Sequence, residues 1–417
     1  MKRCVVLLFF IGLPFVLTAQ FGLEGEIRPR FEFRDGYKAM PLEGSIPAMF
    51  VNQRTRLTIH FGTEKLVTKI SVQDVRIWGN EEQKKHVPGF AVHEAWAELM
   101  FNENVSLRAG RQELVYDNQR FLANNNWNSQ AQKHDAALLK LKHNSLRGHL
   151  GLAFNQQKEL LSGTNYELNN YKYLNFLWLS NEFSKDFSLT ALLMAEGFQR
   201  PETQNTLYIR GTYVLNAQFN KDKVKFYASS AFQNGRTNEG QQILAWYAAL
   251  DFKYKIIPKL TLAVGAEVFS GKDAMDTLNT KYNSFNSYFG SGHSFNGHMD
   301  YFTDIPVHTK NAGLMNPYLK LAYKANEKTN LNADFHYFAL QNNYVDQNIA
   351  IDKNLGIETD IYLQRKIHPM AQVQLGYSFM LGSESMEIIR GGDNEQWAHW
   401  AYVMLTVKPK NTLMLQK

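Results

Sequence analysis

The chain has 417 residues, with 45 Lys and Arg against 39 Asp and Glu, a formal charge of +6 and 13% aromatic residues. Its bases are too few in excess and too scattered for a nucleic-acid partner. The single cysteine, Cys4, precedes an apolar leader, so the mature chain can form neither a disulfide nor a thiolate metal site.

Lys2 and Arg3, the apolar run 5–17 and the Thr18-Ala19-Gln20 step read as a secretory signal peptide over 1–19. The expected organisation is that leader followed by a single domain, 20–417. Beyond the leader, no apolar run nears the ~18 residues of a transmembrane helix. Instead, in 23–34 every second residue is charged: Glu24, Glu26, Arg28, Arg30, Glu32 and Arg34. Successive side chains of a strand point to opposite faces, so this segment has one charged and one apolar face. The pattern recurs in 51–61, 244–253, 330–337 and 372–379, and nothing remains in the chain to cover the apolar faces. Lipid on the apolar side and a water-filled bore on the other is the simplest arrangement. In 69–78 the alternation slips near Asp74, as at a β-bulge.

Connections alternate between short and long. Short polar links fall at 62–65, 102–104, 143–145, 184–186, 220–222, 255–259, 326–328 and 366–369. Long polar stretches fall at 35–49, 79–90, 116–132, 157–170, 199–205, 234–241, 271–311, 341–352 and 383–395. Eight short turns between nine long loops predict about 18 antiparallel strands, with short periplasmic turns, long external loops and both chain ends on the short-turn side. The expected class is all-β: a transmembrane antiparallel barrel of the bacterial outer membrane, in contact with its lipid. A soluble solenoid or propeller would need a repeat of fixed period, and none is visible.

On these phases the inward bases include Arg28, Arg30, Arg54, Arg56, Arg76, Arg108, Arg210 and Lys320. The inward acids include Glu24, Glu26, Glu32, Asp74, Glu94, Glu98, Glu267, Asp334, Glu358 and Asp360. Such charges by default pair across strands. The sharper reading is a local ring of uncompensated arginine, which selects anions. The longest loop, 271–311, carries Phe289, His293, Phe295, His298, Asp300, Tyr301 and Phe302 and reads as a gate, with its aromatics used for packing. His293 and His298 with Asp300 and Asp304 could hold a divalent cation, but no ligand-spacing motif is present, and neither a metal nor another cofactor is expected. His93-Glu94 and His134-Asp135 are strand neighbours and should face apart. No Gly-x-Ser-x-Gly elbow occurs, so no catalytic residue is assigned.

The run Arg108-Ala109-Gly110-Arg111-Gln112, then Arg120-Phe121-Leu122, a loop bearing Trp127, and Lys133-His134-Asp135-Ala136 resembles the alginate-export porin family. Gly297-His298-Met299-Asp300-Tyr301-Phe302, Leu355-Gly356-Ile357-Glu358-Thr359-Asp360 and Trp400-Ala401-Tyr402 are similar to further blocks of that family, in order. Ala136 stands where the family has glycine. The resemblance implies an 18-stranded outer-membrane channel with an arginine-lined bore. It adds Arg111 and Arg120 to the anion path, Asp135 to the lumen acids, and a polyuronate as cargo. The function expected is therefore a passive channel for an anionic or sugar-like solute, not an enzyme. The alternatives are a barrel enzyme acting on lipid or polysaccharide and a structural or adhesive barrel with a blocked bore. No periplasmic partner can be named from the sequence.

Overall fold

The structure is a computed structural model that describes residues 19–415 except 86, 167, 169, 201, 202, 204 and 205; residues 1–18 of the expected leader lie outside the described residues. Among the described residues twenty-one strands follow in chain order. They are β1 (Ala19–Asp35), β2 (Ala48–Gly62), β3 (Leu66–Ile77), β4 (Ala91–Asn102), β5 (Val105–Gln112), β6 (His134–His143) and β7 (Leu146–Phe154). Next come β8 (Tyr173–Glu182), β9 (Phe187–Gln199), β10 (Leu207–Lys221), β11 (Val224–Arg236), β12 (Gln242–Ile257), β13 (Leu260–Phe269), β14 (Leu314–Lys324) and β15 (Thr329–Leu340). The last are β16 (Val345–Asp346), β17 (Ile349–Ala350), β18 (Asn354–His368), β19 (Ala371–Gly382), β20 (Ala398–Val407) and β21 (Lys410–Leu415).

Each wall strand pairs antiparallel with its neighbour, and β1 closes the ring against β20 and β21. Those two share one position, split where the Pro409 carbonyl accepts from the Gly25 N–H (2.8 Å). Proline cannot donate to a ladder, so the strand breaks there. The small β16–β17 hairpin lies outside the wall, leaving 18 wall strands. Closure removes every open edge, the condition for a sheet in lipid.

The alternation read from sequence is carried through the wall. Leu23, Ile27, Phe31, Leu57, Leu250, Phe252, Leu331, Phe335 and Leu375 are exposed on the outer surface, while Arg28, Arg30, Arg54, Thr58, Asp334 and His336 are buried within. One register shift has a functional consequence. Ser71 pairs with Glu94 and Val72 with Val92, so His93 is the extra residue of a β-bulge. The irregularity expected in β3 therefore sits in the adjoining strand. It turns both His93 and Glu94 inward, contrary to the expectation that they face apart.

Among the described residues two short helices occur in the long loops. α1 (Ile305–His308) is capped by Asp304 and α2 (Glu384–Arg390) by Ser383, whose hydroxyl accepts from Met386 N–H (3.1 Å). Among the described residues no helix is long and apolar enough to cross a membrane.

Candidate functional site: a loop-filled bore and its vestibule

Two long loops fold into the barrel. The first, 113–133, buries Leu114, Tyr116, Phe121, Leu122 and Ala123. Its tip is held by backbone carbonyls, which the arginines of β1 and β2 collect. Arg28 donates to the carbonyls of Asn126 (2.7 Å), Trp127 and Asn128 (3.3 Å each), and Arg30 to that of Trp127 (3.0 Å). Arg54 reaches Asn126 Oδ1 (2.8 Å) and the Ser129 carbonyl (3.4 Å), and is paired with Glu26 at 2.5 Å. A guanidinium presents several donors in a fixed fork, which suits it to gripping a turn of chain.

The second loop, 270–313, buries Phe285, Phe289, Met299, Tyr301 and Phe302. Full burial of one such side chain is worth about 1.5–3 kcal/mol, which offsets the ordering of a connection this long. The loops join through a parallel bridge, Leu122 to Phe289, and the Ala123 N–H donates to the Phe289 carbonyl (2.9 Å). Gly290 sits so close that a Cβ would strike the Arg120 carbonyl. Arg120, 1% exposed, is the junction. It donates to Glu267 of the wall (2.7 Å), the Ser291 carbonyl (2.7 Å) and Asn296 Oδ1 (2.9 Å), and lies over the Phe269 and Phe295 rings.

Beneath this plug, rings are stacked side by side. Arg30 covers one face of Trp127 (4.2 Å) and His293 the other (4.3 Å, 12°). His298 stacks on His293 in turn (4.9 Å, 18°). Their faces are thus taken by one another, and edges are left for the bore. His293 bonds Asp300 through Nδ1 (2.7 Å), and the Tyr37 hydroxyl donates to the other Asp300 oxygen. Burial pushes the Asp300 carboxyl up, but the imidazole and hydroxyl outweigh it and hold it below the usual carboxylate range. Burial likewise holds the His298 imidazole below its ordinary range.

Below the stack a cavity of about 1160 Å³ reaches to the short turns. Arg28, Arg56, Lys69, Lys253, Lys320, Lys366, Lys408 and Lys410 line it against the acids Glu24, Glu26 and Asp334. Lys408 pairs with Glu26 and Lys320 with Asp334, each at 3.3 Å. Arg56, Lys69 and Lys253 pair with Glu113, Glu94 and Asp251 outside the lining, so the remaining excess is positive but small.

The residues expected to form the anion path divide into four groups. Only Arg28 and Arg56 line the cavity. Arg30, Arg54, Arg120 and Arg210 are buried braces; Arg210 pairs with Glu196 and lies under Tyr288 (3.6 Å). Arg108 pairs with Glu98 (2.5 Å) and covers Trp96, on the inner wall. The other two face outward. Arg76 and Asp74 stand opposite Gln53 and Thr55, outer positions of β2, and Arg76 pairs with Asp74 and Glu81. Arg111 and Asp135 pair on the outer surface (2.8 Å), while their neighbours Gln112 and His134 are buried within. The alternation runs from Ser106 to Gln112 and from His134 to Lys140, so Asp135 is not a lumen acid. Glu94, Glu98, Glu358 and Asp360 are buried on the inner side of the wall.

In the gate loop, Phe289, Asp300, Tyr301 and Phe302 are buried, Phe295 covers Arg120, and His293 and His298 reach the cavity. His293, His298, Asp300 and Asp304 do not converge, since Asp304 caps α1. The bulge creates a cluster that sequence reasoning missed: His93, Glu94 and Glu113 place one ligand atom each within 4.8 Å. A cation there would have to displace Arg56 from Glu113 (3.7 Å) and Lys69 from Glu94.

A family model described as alginate export matches residues 19–382. The chain belongs to the alginate export family. No curated protein sequence matches it. Solved structures share the fold at low identity. OccAB1 of Acinetobacter baumannii has a TM-score of 0.63 at 12% identity, over 94% of this chain and 96% of that one. OccK1 (OpdK) of Pseudomonas aeruginosa has 0.58 at 11%, over 94% and 99%, and OpdK with vanillate 0.57 at 11%, over the same shares. Family and fold together make this a porin-like channel of the bacterial outer membrane.

Proposed function

We propose that the protein passes an anionic or sugar-like solute passively, with a polyuronate as the class that its family suggests. The observation that carries this reading is the vestibule, where eight bases face three acids around a volume large enough for several sugar rings. Charges of one sign in a water-filled bore raise the local concentration of the opposite ion and select for it. Arg56, Lys69 and Lys253 are also paired with Glu113, Glu94 and Asp251 of the wall and loop, so the excess comes down to about two charges. Screening over about 8–10 Å at physiological salt keeps acids farther across the bore from cancelling it. One OpdK structure is of the protein with vanillate, a small carboxylate, on a similar fold, in keeping with an anionic solute.

Planar-bilayer recording in a salt gradient tests the reading. The reversal potential should favour chloride over potassium, and uronate oligomers should swell liposomes faster than neutral sugars of equal size. A cation-selective current would refute it. The two loops that fill the upper bore favour a second reading, a structural barrel that conducts nothing; absence of any current would support that one.

A further inference from the structure

Small residues leave a hollow in the inner wall between β10 and β14, beside the vestibule. Cross-strand neighbours stand there in rows: Gln218, Tyr227, Asp251, Gly265 and Tyr318 in one, with Asn220, Lys225 and Lys253 in the next row towards the short turns. A Cβ at Gly265 would strike the Tyr318 hydroxyl, so the missing side chain lets that ring lie across β13 and donate to Asp251 Oδ2 (2.8 Å). With Ala249 also small, a cavity of about 350 Å³ remains. That is the lower end of the range for small-molecule sites. Both plug loops complete it, Asn118 from the first and Phe295 from the second.

The lining is chemically two-sided. Tyr227, Tyr318 and Phe295 offer ring surface, and Arg120 lies over the Phe295 ring at 4.8 Å. Against the rings stand polar groups that the protein leaves unused. Among the described residues nothing bonds the side chains of Gln218, Asn220 or Lys225. Asn118 uses only its side-chain oxygen, which accepts from the Arg120 N–H (3.1 Å). The acids, by contrast, are engaged: Asp251 by Tyr318 and Lys253, Glu267 by Arg120 and Tyr247. A free amide both donates and accepts, as the hydroxyls of a sugar do. An inorganic anion would leave the rings and the amide oxygens without a use, and an apolar solute would leave the amides unpaired. Lys225, unpaired on the side nearer the short turns, suits a carboxylate, because the bond between them is charge-assisted.

We propose that this hollow is a subsite for a single uronate ring, with its hydroxyls on Gln218 and Asn118, its apolar face against Phe295 and its carboxylate at Lys225. The subsite deepens the reading of the protein as a channel for anionic sugars and rests on that reading for its use. Lys253 lines both the hollow and the vestibule, so the two spaces adjoin, and a chain of sugars in the vestibule can set one unit aside into the hollow.

NMR titration of the whole detergent-solubilised barrel with methyl glucuronide, and with methyl glucoside as its neutral counterpart, reads binding without any current. The wild type should bind the glucuronide about fivefold or more tightly than the glucoside. Gln218→Met keeps the length and breaks no bond within the protein, so the barrel should fold while affinity for both glycosides falls about fivefold. Lys225→Gln should weaken the glucuronide to the level of the glucoside and leave the glucoside unchanged. No binding, equal affinity for the two glycosides in the wild type, or an affinity unmoved by either variant would overturn the subsite. A barrel that binds in this way but carries no current would refute the channel and leave the subsite standing.

Discussion

Arg120 offers the most direct test of how the plug is held. Replacing it with Met keeps the length and apolar stem but leaves Glu267, 3% exposed, without its cation, and strands the Ser291 carbonyl and Asn296 Oδ1. Removing one partner of a buried ion pair costs about 3–5 kcal/mol. The wall ladder does not pass through Arg120, so the cost falls on the equilibrium between seated and released loops. At 1.4 kcal/mol per factor of ten, the released population should rise by about a hundredfold or more. Limited proteolysis within 284–297 should accelerate accordingly, while the heat-modifiable migration of the folded barrel is retained. Arg120→Met with Glu267→Gln should recover much of the loss, since the second change removes the orphaned charge and keeps an oxygen for the Tyr247 hydroxyl (2.7 Å). Unchanged proteolysis in Arg120→Met would refute the view that this residue joins the loops to the wall.

Leu250→Arg, on the lipid face, should cost about 2–4 kcal/mol in refolding titrations if it lies near the midplane, whereas Gln374→Arg on the lumen face should cost little; equal losses would undo the in–out assignment. Arg56→Gln with Lys320→Gln should lower anion selectivity most at low salt, while Arg54→Gln should loosen the first loop instead, because Arg54 is sealed behind it. Deleting 284–297 should raise single-channel conductance with the wall intact. Acid should loosen the second loop: burial pushes His308 down to about 4 from its ordinary 6.5, and its Nδ1 accepts from Asp304 N–H (3.2 Å). A depressed folded-state value means this contribution is complete above about pH 6.5 and lost as pH falls towards 4. His308→Gln should remove that part of the pH dependence of loop proteolysis.

Strand number, turn order and most of the in–out phase were legible in the sequence, because a strand's period of two and the contrast of lipid with water leave a local record at every position, as in 23–34 and 51–61. The same local rule failed where the backbone departs from a plain ladder. A bulge at His93 brings two neighbours to one face, and near the long-loop ends of their strands Asp74 pairs with Arg76 and Arg111 with Asp135 on the outer face, so charge stands where the alternation expects an apolar side chain. What only the tertiary structure decided is the use of the bore. Arg28, Arg30 and Arg54 look the same in sequence whether they face solute or a loop. Contacts about 70–100 residues away in the chain make Arg30 and Arg54 braces, and leave Arg28 both bracing and lining the vestibule. The pairing of Arg120 with Glu267 and the seating of the Met299 and His298 amides on Glu358 and Asp360 are likewise non-local. No periodicity encodes them, because a loop's path depends on which distant groups can satisfy its buried polar atoms.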